Sequence, residues 1–246
     1  MKRIVSLVLS VLLIAVFMVG CGDANIYELP VLDTTSSSSD STPVVTGTSK
    51  VTQGELDGYV FTESETETNF VKIEMTTGDV MIAELYPNDA PITVANFKKL
   101  TSEKFYDGII FHRVISSFVI QGGDPDGNGT GGSKENIKGE FSQNGVQNNI
   151  KHIRGTLSMA RRSDNMDSAS SQFFIVTQTS DNNSASLDGG YAAFGRLVAG
   201  WDTLDKIANC KVNGETPVTK QIMNTVRFVT VTPKSEATVS GEADVQ

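Results

Sequence analysis

Between residues 69 and 232 the chain breaks into short runs that alternate apolar and polar side chains, separated by glycine-containing turns, with only two stretches of helical period among them. Phe70-Val71-Lys72-Ile73-Glu74-Met75 and Val80-Met81-Ile82-Ala83-Glu84-Leu85 flank Thr77-Gly78-Asp79, which predicts a β-hairpin. Further strands are expected over 109–115, 118–121, 156–160, 173–177, 193–198 and 225–232. One helix should open at Asp89-Ala90-Pro91, with Pro near its first turn and Val94, Phe97 and Leu100 as its apolar stripe; a second fits Trp201 to Asn209, with Leu204 and Ile207 at helical spacing. Eight strands, two helices and no strand–helix–strand alternation exclude a parallel sheet and predict a mainly β fold, an eight-stranded antiparallel barrel with two helices. The segment is long enough to bury one core of its own.

The two ends read differently. Lys2 and Arg3 precede an apolar run from Ile4 to Val19, broken only by Ser6 and Ser10, which ends in Met18-Val19-Gly20-Cys21. The run is shorter than the ~20 residues a membrane-spanning helix needs. It reads as a signal peptide over residues 1–20 and resembles the bacterial lipoprotein type, which implies a lipidated Cys21 and a protein held on the extracytoplasmic face of the cell membrane. Two or more acyl chains anchor stably where one does not. Residues 21–68 are poor in large apolar side chains and rich in Ser, Thr, Asp and Glu, so they are expected to form a disordered tether; as a flexible chain this would reach roughly 35–40 Å. Residues 233–246 are polar and are expected to be a disordered tail.

Charge and cysteine content narrow the function further. Of 20 basic residues, Lys2 and Arg3 would leave with the signal, so 18 face 29 acidic ones and the net charge is −11. That sign excludes nucleic acid as a partner. Cys21 and Cys210 are the only cysteines; with Cys21 lipidated, no internal disulfide is available and stability must come from the core. His112 and His152 lack metal-ligand spacing with each other or with Cys210, so no metal and no cofactor is expected.

The chemistry concentrates in residues 111–124, FHRVISSFVIQGGD. A strand carrying Arg113 and Gln121 among so many apolar residues is unusual, because burying a guanidinium is costly unless something pairs with it. Period-two alternation puts Phe111, Arg113 and Ile115 on one face and His112 and Val114 on the other, and it leaves Phe118 and Gln121 with opposite parity. Four more motifs follow in order: Gly129-Thr130-Gly131-Gly132-Ser133 with Glu140-Phe141; Arg154 to Ala160; Ser170-Ser171-Gln172-Phe173-Phe174-Ile175; and Leu187-Asp188-Gly189 with Phe194-Gly195. The glycine-rich loop lacks the Gly-Lys-Ser/Thr ending of a phosphate loop.

Together these motifs resemble the cyclophilin family of peptidyl-prolyl cis-trans isomerases across essentially all of 69–232. The resemblance implies a cyclophilin-like barrel capped by its two helices, and rotation about Xaa-Pro peptide bonds. Amide resonance sets a barrier of ~18–20 kcal/mol to that rotation, and no nucleophile or general base is needed to lower it. By resemblance Arg113 and Gln121 are catalytic: Arg113 holds the prolyl carbonyl and supports the twisted amide, while Gln121 orients it. Phe118, Val119, Ala160, Gln172, Phe174, Leu187 and Tyr191 would bind the substrate. His112 is read as packed behind the site. Val119 stands where many members carry Met, Arg161 and Arg162 where Asn and Ala are frequent, Ser186 where drug-sensitive members carry Trp, and Tyr191 where they carry His. These departures imply weak cyclosporin binding. The expected partners are unfolded or proline-containing exported polypeptides, met by a monomer. A non-catalytic proline-peptide-binding chaperone or surface interaction module is the alternative.

Overall fold

The computed structural model describes residues 53–234. The signal peptide, Cys21, most of the tether and the tail beyond residue 234 lie outside the described residues. In chain order the elements are β1 (Gln53–Leu56), β2 (Tyr59–Glu63), β3 (Phe70–Met75), β4 (Val80–Leu85), α1 (Pro91–Ser102), β5 (Ile110–Ile115), β6 (Val119–Asp124), β7 (Thr156–Met159), β8 (Phe173–Val176), α2 (Asp181–Leu187), β9 (Ala193–Ala199), α3 (Trp201–Ala208), β10 (Val212–Asn213), β11 (Thr216–Pro217) and β12 (Gln221–Pro233).

Eight of these strands form a closed antiparallel barrel in the order β12-β3-β4-β9-β7-β8-β6-β5, closed because β12 pairs with both β3 and β5. Closure is held just ahead of β5, where Asp107 takes a bidentate hydrogen-bonded ion pair from Arg227 of β12, at 2.8 and 2.6 Å. Inward-facing Val71, Ile73, Met81, Ala83, Leu157 and Ile175 join Phe97 of α1 and Leu204 and Ile207 of α3 in one core. Helix α1 has no side-chain cap of its own. Instead the buried Glu140 carboxylate accepts the N–H groups of Ile92 and Thr93 at 3.0 and 2.7 Å, which satisfies first-turn donors and places negative charge at the positive end of the helix.

Three expectations are corrected. First, a third helix, α2, ends at Leu187; it is too short and polar, DNNSASL, to leave a periodic signal.

Second, residues 53–63 are not tether. They form the β1–β2 hairpin, which joins β12 through β2 and extends the sheet. The reason lies in β4, whose residues are apolar at both parities. Met81 and Ala83 face the barrel core, while Val80 and Ile82 point outward and need a cover. Phe61 supplies it, together with Val229 and Ala199, and forms a second apolar cluster. Two polar anchors fix the hairpin. The Asp57 carboxylate accepts the Gly200 N–H at 2.7 Å, at the start of α3. Glu63 pairs at 2.7 Å with the ammonium group of Lys72, which is fully buried and also bound at 2.7 Å by Glu74.

Third, Phe111 and Val114 both enter the core, against simple alternation, because the β5–β6 ladder shifts register twice. Phe111 opposes Gly122 and Arg113 opposes Gln121, so His112 is the extra residue of a β-bulge.

Lys72 bridges these two carboxylates, so Lys72→Met should leave Glu63 and Glu74 without the ammonium group between them. A loss of about 3–5 kcal/mol is expected from breaking a buried ion cluster on one side, to be read from the denaturant midpoint of the full chain against wild type.

Candidate active site

The site is built outward from β6. Gln121 stands opposite Arg113 of β5 on one side and Phe174 of β8 on the other, and Phe174 in turn stands opposite Ser158 of β7. A row of side chains therefore crosses four strands. Two glycines make the row possible. Gly123 takes φ +83°, in the left-handed region, and a Cβ there would stand 2.4 Å from the Ser171 carbonyl oxygen. At Gly122 a Cβ would come within 2.8 Å of the Ile110 oxygen. The parity conflict between Phe118 and Gln121 resolves because Phe118 lies in the β5–β6 turn and not in the strand; its N–H donates to the Ile115 carbonyl at 2.9 Å.

Arg113, Phe118, Val119, Gln121, Ala160, Phe174, Leu187 and Tyr191 converge on one cavity of ≈ 180 Å³. Val119, Phe174 and Leu187 are buried there in a small apolar cluster of their own, with Phe118, Ala160 and Tyr191 packed against it. The Phe174 ring meets Tyr191 edge-on at 5.7 Å and stacks on His152 at 6.0 Å. Gln172, the ninth residue named from the sequence, does not line this cavity. It lines the adjoining one of ≈ 460 Å³, which shares Gln121, Ala160 and Arg161 with the first.

Hydrogen bonds link the polar members in series. Arg113 donates from Nη1 to Gln121 Oε1 at 3.3 Å, Gln121 donates from Nε2 to Gln172 Oε1 at 2.9 Å, and Gln172 donates to the Gly129 and Gly131 carbonyls at 3.0 and 2.7 Å. The glycine-rich loop is itself organised by Asp124. Burial favours its neutral form, but backbone N–H donors from Asp126, Gly129, Gly131 and Asn128 outweigh that and hold the carboxyl below the usual range.

Two residues at the site were not assigned a place there from sequence. Arg161, noted only as a departure, lines the cavity with its guanidinium 4.9 Å from the Tyr191 ring centre and 5.3 Å from that of Phe141, and its Nε donates to the Gly190 carbonyl at 2.9 Å. Glu215, in the turn between β10 and β11, accepts from Arg113 Nε at 2.5 Å. An acidic residue about a hundred positions from its partner carries no local signal; only the turn residues Asn213-Gly214 mark its neighbourhood. With Nε on Glu215 and Nη1 on Gln121, Arg113 Nη2 is the guanidinium nitrogen without a protein partner among the described residues. His112 is buried next to Arg113 in the chain, and His152 is buried between Asp188 and Ser158.

The chain matches the family model of cyclophilin type peptidyl-prolyl cis-trans isomerases over residues 70–228, and it belongs to that family. It is 42% identical over 155 residues to a peptidyl-prolyl cis-trans isomerase of Acinetobacter baylyi, covering 63% of this chain and 79% of the relative. With peptidyl-prolyl cis-trans isomerase B of Bacillus subtilis it shares 43% identity over 141 residues, 57% of this chain and 92% of that one. A crystal structure of a cyclophilin type isomerase from Cryptosporidium parvum, determined in the presence of the dipeptide Ala-Pro, superposes with a TM-score of 0.58 at 32% identity, covering 65% of this chain and 98% of that chain. The protein is a peptidyl-prolyl cis-trans isomerase.

Burial holds both His112 and His152 below the ordinary histidine value, against the opposing pull of Asp124 on the first and Asp188 on the second. The unfolded chain takes up these protons from about pH 6.5 downward while the folded chain still refuses them, so stability rises with pH through that window and is lost on acidification. The denaturant midpoint is expected to fall between about pH 7.5 and about pH 5, and His112→Gln should shrink that fall. A midpoint independent of pH over this range would contradict the assignment.

Proposed function

We propose that the protein catalyses Xaa-Pro isomerisation in exported polypeptides while tethered to the outer face of the cell membrane through a lipidated Cys21. The observation that carries the chemical part is the position of Arg113: it borders the ≈ 180 Å³ cavity that Val119, Phe174 and Leu187 line, with one guanidinium nitrogen, Nη2, left over after Glu215 and Gln121 have taken the others.

A proline ring enters the apolar cluster of Val119, Phe174 and Leu187, with Phe118 and Tyr191 at the mouth. Arg113 donates to the prolyl carbonyl oxygen. The guanidinium is always charged and its donors lie in a rigid plane, so it stabilises the twisted amide without reorganising as the bond rotates. Gln121 holds Arg113 in place and is itself held by Gln172, which the glycine-rich loop anchors. Ala160 and Gln172 line the path of the residues next to the proline. No bond is made or broken covalently, and no proton needs to move.

The cellular part rests on the N-terminal pattern, Lys2-Arg3 followed by an apolar run ending at Cys21, and on the Ser/Thr-rich segment that separates Cys21 from the barrel. Polypeptides crossing a membrane arrive unfolded, and their Xaa-Pro bonds otherwise exchange in tens to hundreds of seconds. An isomerase held at the exit would meet them before they fold.

Arg113→Ala in the full chain should lower kcat/KM on a short Xaa-Pro peptide by about 10²–10³-fold, the usual cost of removing one preorganised donor, with little change in the denaturant midpoint. A mutant as fast as wild type would refute the assigned role. In a bacterial host, radiolabelled fatty acid should enter the wild-type protein and not Cys21→Ala, which should leave the membrane fraction; equal labelling of both would refute the anchor.

A further inference from the structure

Arg113 borders not one cavity but two, and Gln121 accompanies it in both. Besides the prolyl cavity they line a second, ≈ 390 Å³, and these two residues are all that the two cavities share. The second cavity is walled by His112, Asn128, Gly129, Glu215 and Thr216.

Rotation of a prolyl bond does not account for what this cavity contains. The Glu215 carboxylate reaches Arg113 Nε with Oε2 alone, and Oε1 has no protein partner among the described residues. Its place is set by the backbone, because the Val114 N–H donates to the Glu215 carbonyl at 2.7 Å and ties the β10–β11 turn to β5. The side chain is 54% exposed, so a ligand can reach it. His112, on the same wall, is only 7% exposed, yet neither ring nitrogen has a hydrogen-bond partner among the described residues. Buried polar groups are rarely left in that state. The neighbouring loop residue is Gly129, where a Cβ would stand in van der Waals contact with His112 Nε2 at 3.7 Å.

A proline whose carbonyl oxygen is held by Arg113 sends its next residue past that guanidinium, at ~3.3–3.6 Å per residue of extended chain. We propose that the second cavity is the subsite for the segment following the proline, and that Glu215 selects there for a lysine or arginine side chain in the first or second position after it. This rests on the reading of Arg113 as the donor to the prolyl carbonyl. A cationic side chain reaches the unpartnered Oε1. An acidic one meets a like charge and can engage Arg113 Nε only by displacing Glu215.

The test is isomerisation of peptides carrying Lys, Ala or Glu at the first position after the proline and, in a second series, at the second position, followed by NMR exchange with the full chain. An exposed ion pair is worth about 0.2–1 kcal/mol, so kcat/KM for Lys over Glu should exceed one by about 1.4- to five-fold in at least one series. The ratio should shrink in high salt, approach one in Glu215→Gln and invert in Glu215→Lys. Any effect of these substitutions on the hold of Arg113 on the prolyl carbonyl acts on all the peptides, while freeing Arg113 Nε for an acidic side chain moves the ratio in the same direction. Equal rates for Lys, Ala and Glu at both positions, or a preference that Glu215→Gln leaves intact, would overturn the proposal. A wild-type chain that accelerates none of the peptides would instead bring down the reading of the prolyl cavity, and the subsite with it.

Discussion

The site depends on β6 being paired on both sides at a fixed register. Gln121 is opposite Arg113 across one edge and Phe174 across the other, so the cation, the amide that orients it and the aromatic floor of the cavity are held by backbone hydrogen bonds and not by side-chain contacts alone. A shift of one residue would turn these side chains to the opposite face of the sheet. The register is protected by the bulge at His112 and by the left-handed Gly123, positions where regular pairing is interrupted and the next residues are re-aimed. Barrel closure through β12 then prevents the ladder from slipping as an open edge could.

The electrostatics of the site follow from that frame. Arg113 spends two of its nitrogens on Gln121 and Glu215, and these bonds fix the plane of the guanidinium. Side-chain entropy is thereby lost during folding and not during binding. Gln172 extends the chain of bonds into the glycine-rich loop, whose shape is held in turn by the buried Asp124 carboxylate. The polar side of the candidate site is thus a continuous hydrogen-bonded network running from the β10–β11 turn to the glycine-rich loop, and the cluster of Val119, Phe174 and Leu187 lies beside it.

Much of the fold is legible locally. The eight barrel strands and the helices α1 and α3 announce themselves by period and by their turn and cap residues, since each buries one face and leaves the other wet. The N-terminal hairpin is not legible in the same way. Its own residues are polar on average, and the demand for it is written elsewhere, in the outward Val80 and Ile82 of β4 and in Lys72 of β3, which cannot be buried without Glu63 and Glu74. Helix α2 is equally silent in composition, although it ends at Leu187 in the wall of the cavity.

By itself the sequence determined the closed antiparallel barrel, the family and the residue types that meet at the cavity, because periodicity and motif order are properties of neighbouring residues. It left open how those residues meet. Simple alternation put Phe111 and Arg113 on one face and set Phe118 against Gln121, and the bulge at His112 and the turn at Phe118 reversed both. Only the tertiary structure decided that Glu215 takes one edge of the Arg113 guanidinium, that Arg161 stacks on Tyr191 in the cavity wall, and that residues 53–63 are part of the fold. Each of these is a pairing between residues far apart in the chain, and a charge or an apolar face does not reveal its partner until closure of the barrel brings the two together.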